Sequence, residues 1–246
     1  MTTPRDFWNQ WNARWRAAHE ASWTPDEAAR RRHETILAWL RARDVRDADI
    51  LDVSCGAGWL SDALRAFGRV TGVDIADETV AEARARFPAV TFIAGDFYTV
   101  DLPAESWDVV VCVDGISCVP DPAAFVRRMA ERLRPGGHLI AATPNRFVWE
   151  RVERDGQSAA PIRHWHSRGE LRSLLAPWFE VLRLRTVAPG GHTGLLRIVN
   201  SYKVEAVLAR AGLATAWRWA RERLGVGRSF VVLCRLRPRA AARGRG

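Results

Sequence analysis

From Ile50 onward short apolar runs alternate with stretches of helical period, and this alternation constrains the fold more than any other feature of the chain. The runs are "DILDVS" (49–54), "RVTGVD" (69–74), "AVTFIAG" (89–95), "WDVVVCVD" (107–114), "GHLIAAT" (137–143), "FEVLRLRTV" (179–187) and "RSFVVLCRL" (228–236). Helical patterns lie among the first five at 58–67, 77–87 and 121–134, and another starts at Glu170 before the sixth. Runs this apolar need cover on both faces of the sheet, which helices wound on either side of parallel strands supply. The sequence therefore predicts an α/β chain with a doubly wound, mainly parallel sheet of seven strands.

Two helical regions flank or interrupt this pattern. Residues 1–45 are assigned as an N-terminal helical lid segment. Trp8, Trp11 and Trp15 recur at spacings of three and four on one helix, and a second helix is expected to start with Thr24 as N-cap and Pro25 at its first position. Such a stripe packs on a core first and covers a ligand second. The core is assigned to residues 46–189, a helical cap insert to 190–227, the last strand to 228–238 and a disordered tail to 239–246.

Charge is spread unevenly: the net value of +9 divides into about +1 for residues 1–50, −5 for 51–150 and +13 for 151–246. A basic third can meet nucleic acid, an anionic membrane surface or an acidic substrate. All but one of the 37 basic residues are Arg, Lys203 being the exception, a skew that reflects composition before it reflects a binding surface. Nucleic acid is accordingly not the expected partner. No run of 18 apolar residues occurs and the N-terminus carries charges and Trp, so no transmembrane segment is expected and the location is expected to be cytoplasmic. Cys55, Cys112, Cys118 and Cys234 show no CxxC spacing and no companion His cluster, so reduced thiols and no metal are expected.

The turn after the first run reads Gly56-Ala57-Gly58, and the second run ends in Asp74. Glycines there let backbone N–H groups approach a polar ligand, and an acid at the second strand's end can accept from both hydroxyls of a ribose. A dinucleotide and S-adenosylmethionine both suit such a seat. A dinucleotide needs a place for its pyrophosphate and favours a third glycine, where this chain has Ser61. S-adenosylmethionine has no phosphate and suits an acidic lining, as in the net negative central block.

The features "LDVSCGAG", "GVDIA", "AGDFYTVDLP", "WDVVVCVDGISCVPDP", "LRPGG" and "ATPN" follow in order at strand-sized intervals. With these, the block from Ile50 to Asn145 resembles the class I S-adenosylmethionine-dependent methyltransferases, which implies a Rossmann-like core and S-adenosylmethionine as methyl donor. The layout is also similar to bacterial ubiquinone-type and natural-product O-methyltransferases. By this resemblance Asp52 and the turn from Ser54 through Gly56 to Gly58 hold the methionine end, Asp74 and Ile75 the ribose, Asp96 and Phe97 the adenine, and the backbone around Val113 and Asp114 the methionine amine. The family pattern usually has glycine where Ser54 stands, tolerable if Ser54 keeps ordinary β geometry. Relatives that methylate quinone precursors usually carry Glu-x-x-x-His after the fourth strand, where this chain has Asp114, Ser117 and Cys118.

Methyl transfer from a sulfonium is an in-line displacement, so catalysis rests on holding the acceptor in line, excluding water and, for a hydroxyl, supplying a base. Candidate bases are His164, His166, His192 and Asp114, of which His164 and Asp114 are assigned the catalytic roles. No cysteine follows a proline and no Asn/Asp-Pro-Pro-aromatic motif occurs, so the markers of macromolecular methylation are missing and a small-molecule acceptor is expected. The insert 190–227, where Trp217 and Trp219 interleave with Arg218, Arg221 and Arg223, is expected to pack as a cap and to offer the place for any peripheral membrane contact. An NAD(P)-dependent oxidoreductase, and a non-catalytic binding protein on the same fold, remain as alternatives.

Overall fold

The computed structural model describes residues 3–18, 27–152, 162–189 and 202–238. Seven strands form one sheet in the order β3-β2-β1-β4-β5-β7-β6: β1 Ala48–Val53, β2 Gly68–Asp74, β3 Thr91–Ala94, β4 Trp107–Val113, β5 Leu133–Pro144, β6 Phe179–Pro189 and β7 Gly227–Leu236. β1 through β5 pair in parallel, whereas β7 runs antiparallel to both β5 and β6. The expected seven-stranded, mainly parallel sheet is the one found. The order reverses beside β1, so the carboxyl ends of β1 and β4 open a crevice between them, the place where such sheets bind ligands.

Helices cover both faces. α1 (Pro4–Ala18), α2 (Glu27–Arg41), α3 (Trp59–Leu64), α4 (Asp77–Arg86), α5 (Pro122–Arg132), α6 (Arg146–Val152), α7 (Arg168–Leu175), α8 (Tyr202–Arg210) and α9 (Ala214–Leu224) follow in chain order. α3 gives way to a 3₁₀ turn at Arg65–Phe67, and together they fill 59–67 of the predicted stretch 58–67, with Gly58 as the N-cap. α5 begins with Asp121 as N-cap, its carboxylate accepting from the Ala124 N–H at 2.9 Å, with Pro122 behind it. α7 opens on a reciprocal capping box between Ser167 and Glu170. Pairing extends β5 back through the "RPGG" turn, with a bulge between Trp107 and Val109 on its partner.

Each face of the sheet carries its own core. On one side Phe125, Met129, Leu171, Leu175 and Phe179 pack against Val110, Leu139 and Val232; on the other, Ile36, Leu40, Leu60 and Leu64 pack against Ile50, Val111, Ile140 and Val231. Strand residues alternate between the two clusters, the reason the runs read as apolar throughout. The expected N-cap Thr24 with Pro25 lies outside the described residues, as does the side chain of Trp15. Among the described residues no helix is long and apolar enough to cross a membrane.

Candidate active site

The turn that follows β1 is built from three left-handed residues within five positions: Ser54 (φ 62°), Gly56 (φ 50°) and Gly58 (φ 81°). The N–H groups of Ser54 and Cys55 both donate to the Val73 carbonyl, at 2.8 and 3.1 Å, which ties the start of the turn to the end of β2. Ser54 thus leaves the ordinary β geometry expected of it, because two successive N–H groups must reach one carbonyl. The two glycines differ. A Cβ on Gly58 would lie 2.6 Å from the ring of Phe92, whereas one on Gly56 would meet nothing within 4 Å. Gly58 lets the turn pack on β3, and Gly56 leaves the mouth of the crevice open.

Two acids converge beneath this opening. Asp52, 1% exposed, accepts a hydrogen bond of 2.6 Å from the hydroxyl of Ser61. Burial pushes the Asp52 pKa up to about 7, with the charge of Asp74 adding and the Ser61 hydrogen bond opposing. Asp74 accepts from the N–H of Gly56 and of Ala76, both at 2.9 Å, and from that of Ile75. Burial raises its pKa as well, against the pull of those three donors. Asp74 therefore ties the glycine turn to the end of β2 besides presenting its carboxylate.

Beyond β3, Asp96 folds its carboxylate onto the Tyr98 N–H at 2.9 Å. The Phe97 ring is buried edge-on to Phe125 at 5.1 Å with Arg128 above it, so only its backbone serves the crevice; its N–H makes no hydrogen bond among the described residues. Beyond β4, Val113 is half-buried and Asp114 takes a left-handed φ of 62°. The Asp114 carbonyl is held by the N–H and hydroxyl of Ser117, at 3.2 and 2.7 Å. Its side chain is met from α2: Arg32 Nη2 lies 3.3 Å from Oδ2, while Arg32 Nη1 donates to Ser229 at 3.2 Å. Asp114 Oδ1 and Arg32 Nε are buried without hydrogen-bond partners among the described residues.

The segment after β5 returns to this mouth. The His164 N–H donates to the Ser117 carbonyl at 2.8 Å, which brings His164 beside the loop after β4. His166 bridges to Asn145, its Nδ1 is buried without a partner among the described residues, and its pKa is lowered by burial and by His164. Asn145 Nδ2 reaches the carbonyls of Gly225 and Gly227, both at 2.8 Å, fixing the start of β7. His192 lies outside the described residues. From the other side, α1 docks on α4 through Asn9 to Asp77 at 2.7 Å and Asn12 to Thr79 at 2.9 Å, and the Arg163 guanidinium lies 6.0 Å from the Trp11 ring.

Most of the residues singled out in the sequence thus gather at one end of the sheet, and Arg32 joins them unforeseen: nothing in "RRRH" marks one arginine of three. The lining suits a cationic, hydroxyl-bearing ligand better than a pyrophosphate. The turn already spends the N–H groups of Ser54 and Cys55 on Val73, that of Gly56 on Asp74 and that of Gly58 on Cys55; α3 is six residues long, and Ser61 is engaged by Asp52. Among the described residues no group of three or more His, Cys, Asp or Glu could hold a metal ion.

Comparison with known proteins agrees with this geometry. Residues 51–141 match the family model described as a methyltransferase domain. A probable S-adenosylmethionine-dependent methyltransferase of Mycolicibacterium smegmatis is 37% identical over 150 residues, covering 59% of this chain and 56% of the relative. A ubiquinone biosynthesis O-methyltransferase of Xanthomonas oryzae pv. oryzae is 39% identical over 118 residues, 45% of this chain and 49% of the relative. The chain spans about half the length of these curated relatives. The magnesium protoporphyrin IX methyltransferase of Synechocystis PCC 6803, solved with bound SAH, shares the fold at a TM-score of 0.64 and 19% identity, covering 95% of this chain and 98% of that one.

Proposed function

We propose, from the match of residues 51–141 to the methyltransferase-domain family model, that this chain binds S-adenosylmethionine in the crevice and passes its methyl group to a hydroxyl oxygen of a small molecule. The observation that carries the reading is the convergence of Asp52 and Asp74 on a glycine turn whose Gly56 side is open. When bound, the sulfonium supplies a methyl group already activated for displacement. Asp74 accepts from the ribose hydroxyls, with Ile75 beside it, while the same carboxylate keeps the turn closed on β2. Asp52 sets a carboxyl group beneath the amino-acid end, next to Ser54, Gly56 and Gly58, whose ionised form the donor's ammonium favours. The Phe97 N–H and the Asp96 carboxylate read the adenine edge, and the backbone at Val113 faces the amine.

On the acceptor side, His164 takes the proton of the attacking hydroxyl, and Asp114, pinned by Arg32, orients rather than abstracts. α1 serves as the lid, α2 being packed on the sheet through Ile36 and Leu40, and α8 and α9 of the insert serve as the cap that selects the acceptor. The names of the curated relatives, one of them an O-methyltransferase, support oxygen as the methylated atom. The test is calorimetry with S-adenosylhomocysteine, followed by a panel of phenols, quinols, sugars and lipids scored by a gain of one methyl group. Binding with turnover on a hydroxyl compound is expected, and absence of S-adenosylhomocysteine binding overturns the reading. His164→Gln is expected to lower kcat by about 10²-fold or more while leaving S-adenosylhomocysteine affinity unchanged; an unchanged kcat removes His164 from the role.

A further inference from the structure

Two half-buried arginines stand where β7 begins, beside the carboxyl end of β5. Arg168, at the start of α7, places its guanidinium 6.0 Å from the centre of the Phe230 ring. Arg228 lies 4.8 Å from the ring of Trp149 on α6, and Trp149 in turn stacks on Trp165 at 5.9 Å. Arg228 and Phe230 are two residues apart on β7 and share one face of the sheet, which makes the two guanidiniums neighbours. Contact with a ring uses the flat face of a guanidinium and leaves its N–H edge for an acceptor. Neither edge donates a hydrogen bond or enters an ion pair among the described residues. The carboxylates around them are committed elsewhere: Arg146 holds Glu150 and Glu170, and Arg32 holds Asp114.

The surroundings tie this pair to the acceptor side. Arg168 follows His164 by four residues, and the His164 N–H is fixed to the Ser117 carbonyl in the loop after β4. A Cβ on Gly225, which ends the cap helix α9, would lie 3.7 Å from Arg168 Nη2, so the cap closes over the arginine. Charge also changes sign along the sheet: Asp52 and Asp74 stand on β1 and β2, whereas the two arginines stand over β7, beyond β4 and β5. Two like charges held side by side repel one another, and an oxyanion that accepts from both edges offsets that repulsion. Resting on the proposed methyl transfer, we propose that Arg168 and Arg228 receive a carboxylate or phosphate group of the acceptor, which makes the acceptor an acidic hydroxyl compound.

The protein loaded with S-adenosylhomocysteine is titrated by calorimetry with three matched ligands: a dihydroxybenzoate, the corresponding dihydroxyphenyl phosphate and the uncharged dihydroxybenzamide. At least one of the two anions is expected to bind about tenfold or more tightly than the amide, and the tighter of the two identifies the group. Arg168→Gln and Arg228→Gln, made separately, are each expected to weaken the preferred anion about tenfold while leaving the affinities for the amide and for S-adenosylhomocysteine unchanged. Arg228→Lys, which keeps the charge and loses the planar fork, should retain part of the preference. An amide bound as tightly as both anions, equal losses on all three ligands, or binding of none of them overturns the proposal. Failure of the wild type to bind S-adenosylhomocysteine overturns instead the reading on which it rests.

Discussion

Replacing Asp52 with asparagine tests whether the acid beneath the turn is held against its own ionisation. In the native protein its pKa is raised from 3.8 to about 7, chiefly by burial, and its side chain has one polar partner, Ser61, among the described residues. A shift of about three units corresponds to roughly 4 kcal/mol at about 1.4 kcal/mol per unit, an upper value for one group. The sign follows from proton counting. Below the unfolded pKa both states hold the proton and Asp52 contributes nothing. Between about pH 4 and 7 the native state holds a proton that the unfolded chain has released, so stability falls as pH rises, and above about 7 the full cost is present. The neutral amide of the Asp52→Asn variant carries no such dependence. His138 and His166, both lowered chiefly by burial, lend stability that grows with pH in the same range, so the wild-type profile alone is not diagnostic. Subtraction removes them. Urea unfolding followed by fluorescence of the 12 Trp should show Asp52→Asn gaining on the wild type by up to about 4 kcal/mol from pH 4 to pH 8. A difference curve flat to within about 0.5 kcal/mol would show that Asp52 ionises freely in the folded protein and would refute the picture of a buried, proton-holding acid.

Three other perturbations probe the same end of the sheet. Gly58→Ala must move the buried Phe92 ring from a 2.6 Å clash and adopt a left-handed φ, so a loss of about 2–4 kcal/mol is expected by urea unfolding. Gly56→Ala, with open space around its Cβ, should lose only about 1 kcal/mol yet abolish detectable S-adenosylhomocysteine binding in calorimetry; retained affinity would place the ligand elsewhere. Arg32→Ala strands the Asp114 carboxylate, and because that side chain is 38% exposed the cost is expected near 1–2 kcal/mol. Combined with Asp114→Asn it should show a coupling of at least about 0.5 kcal/mol, and strict additivity would mean that the pair is not formed.

The sheet was legible because its strands are buried on both faces, and that leaves a continuous apolar run that needs no partner to be recognised. Leu51 faces one core and Ile50 the other, yet both read alike. The antiparallel β7 shows no such signature, since "RSFVVLCRL" is as apolar as a parallel strand; its direction is set by the β6–β7 return and by Asn145 holding the carbonyls of Gly225 and Gly227. α6 also escaped notice. Seven residues from Arg146 to Val152 are too few for a helical period to stand out, and Trp149 fixes the turn by donating to the Arg228 carbonyl, far along the chain.

At the site, what the sequence displays is which atoms can be offered; what it hides is which are already spent. Ser61 looked like a small residue in a glycine's place, a packing compromise in a dinucleotide motif. In the fold its hydroxyl belongs to Asp52, nine residues earlier, and the departure from the dinucleotide pattern becomes the means of keeping an acid under the turn. Asp114 presented the opposite case. As a carboxylate after β4 it read as a base, and only the arrival of Arg32 from α2 shows one of its oxygens committed to an ion pair. Both partners come from outside the acid's own strand and loop, at separations where no spacing rule operates. Ser54 completes the logic. Its identity was visible and its left-handed backbone was not, because that conformation is set by the N–H groups of Ser54 and Cys55 both reaching the Val73 carbonyl on β2.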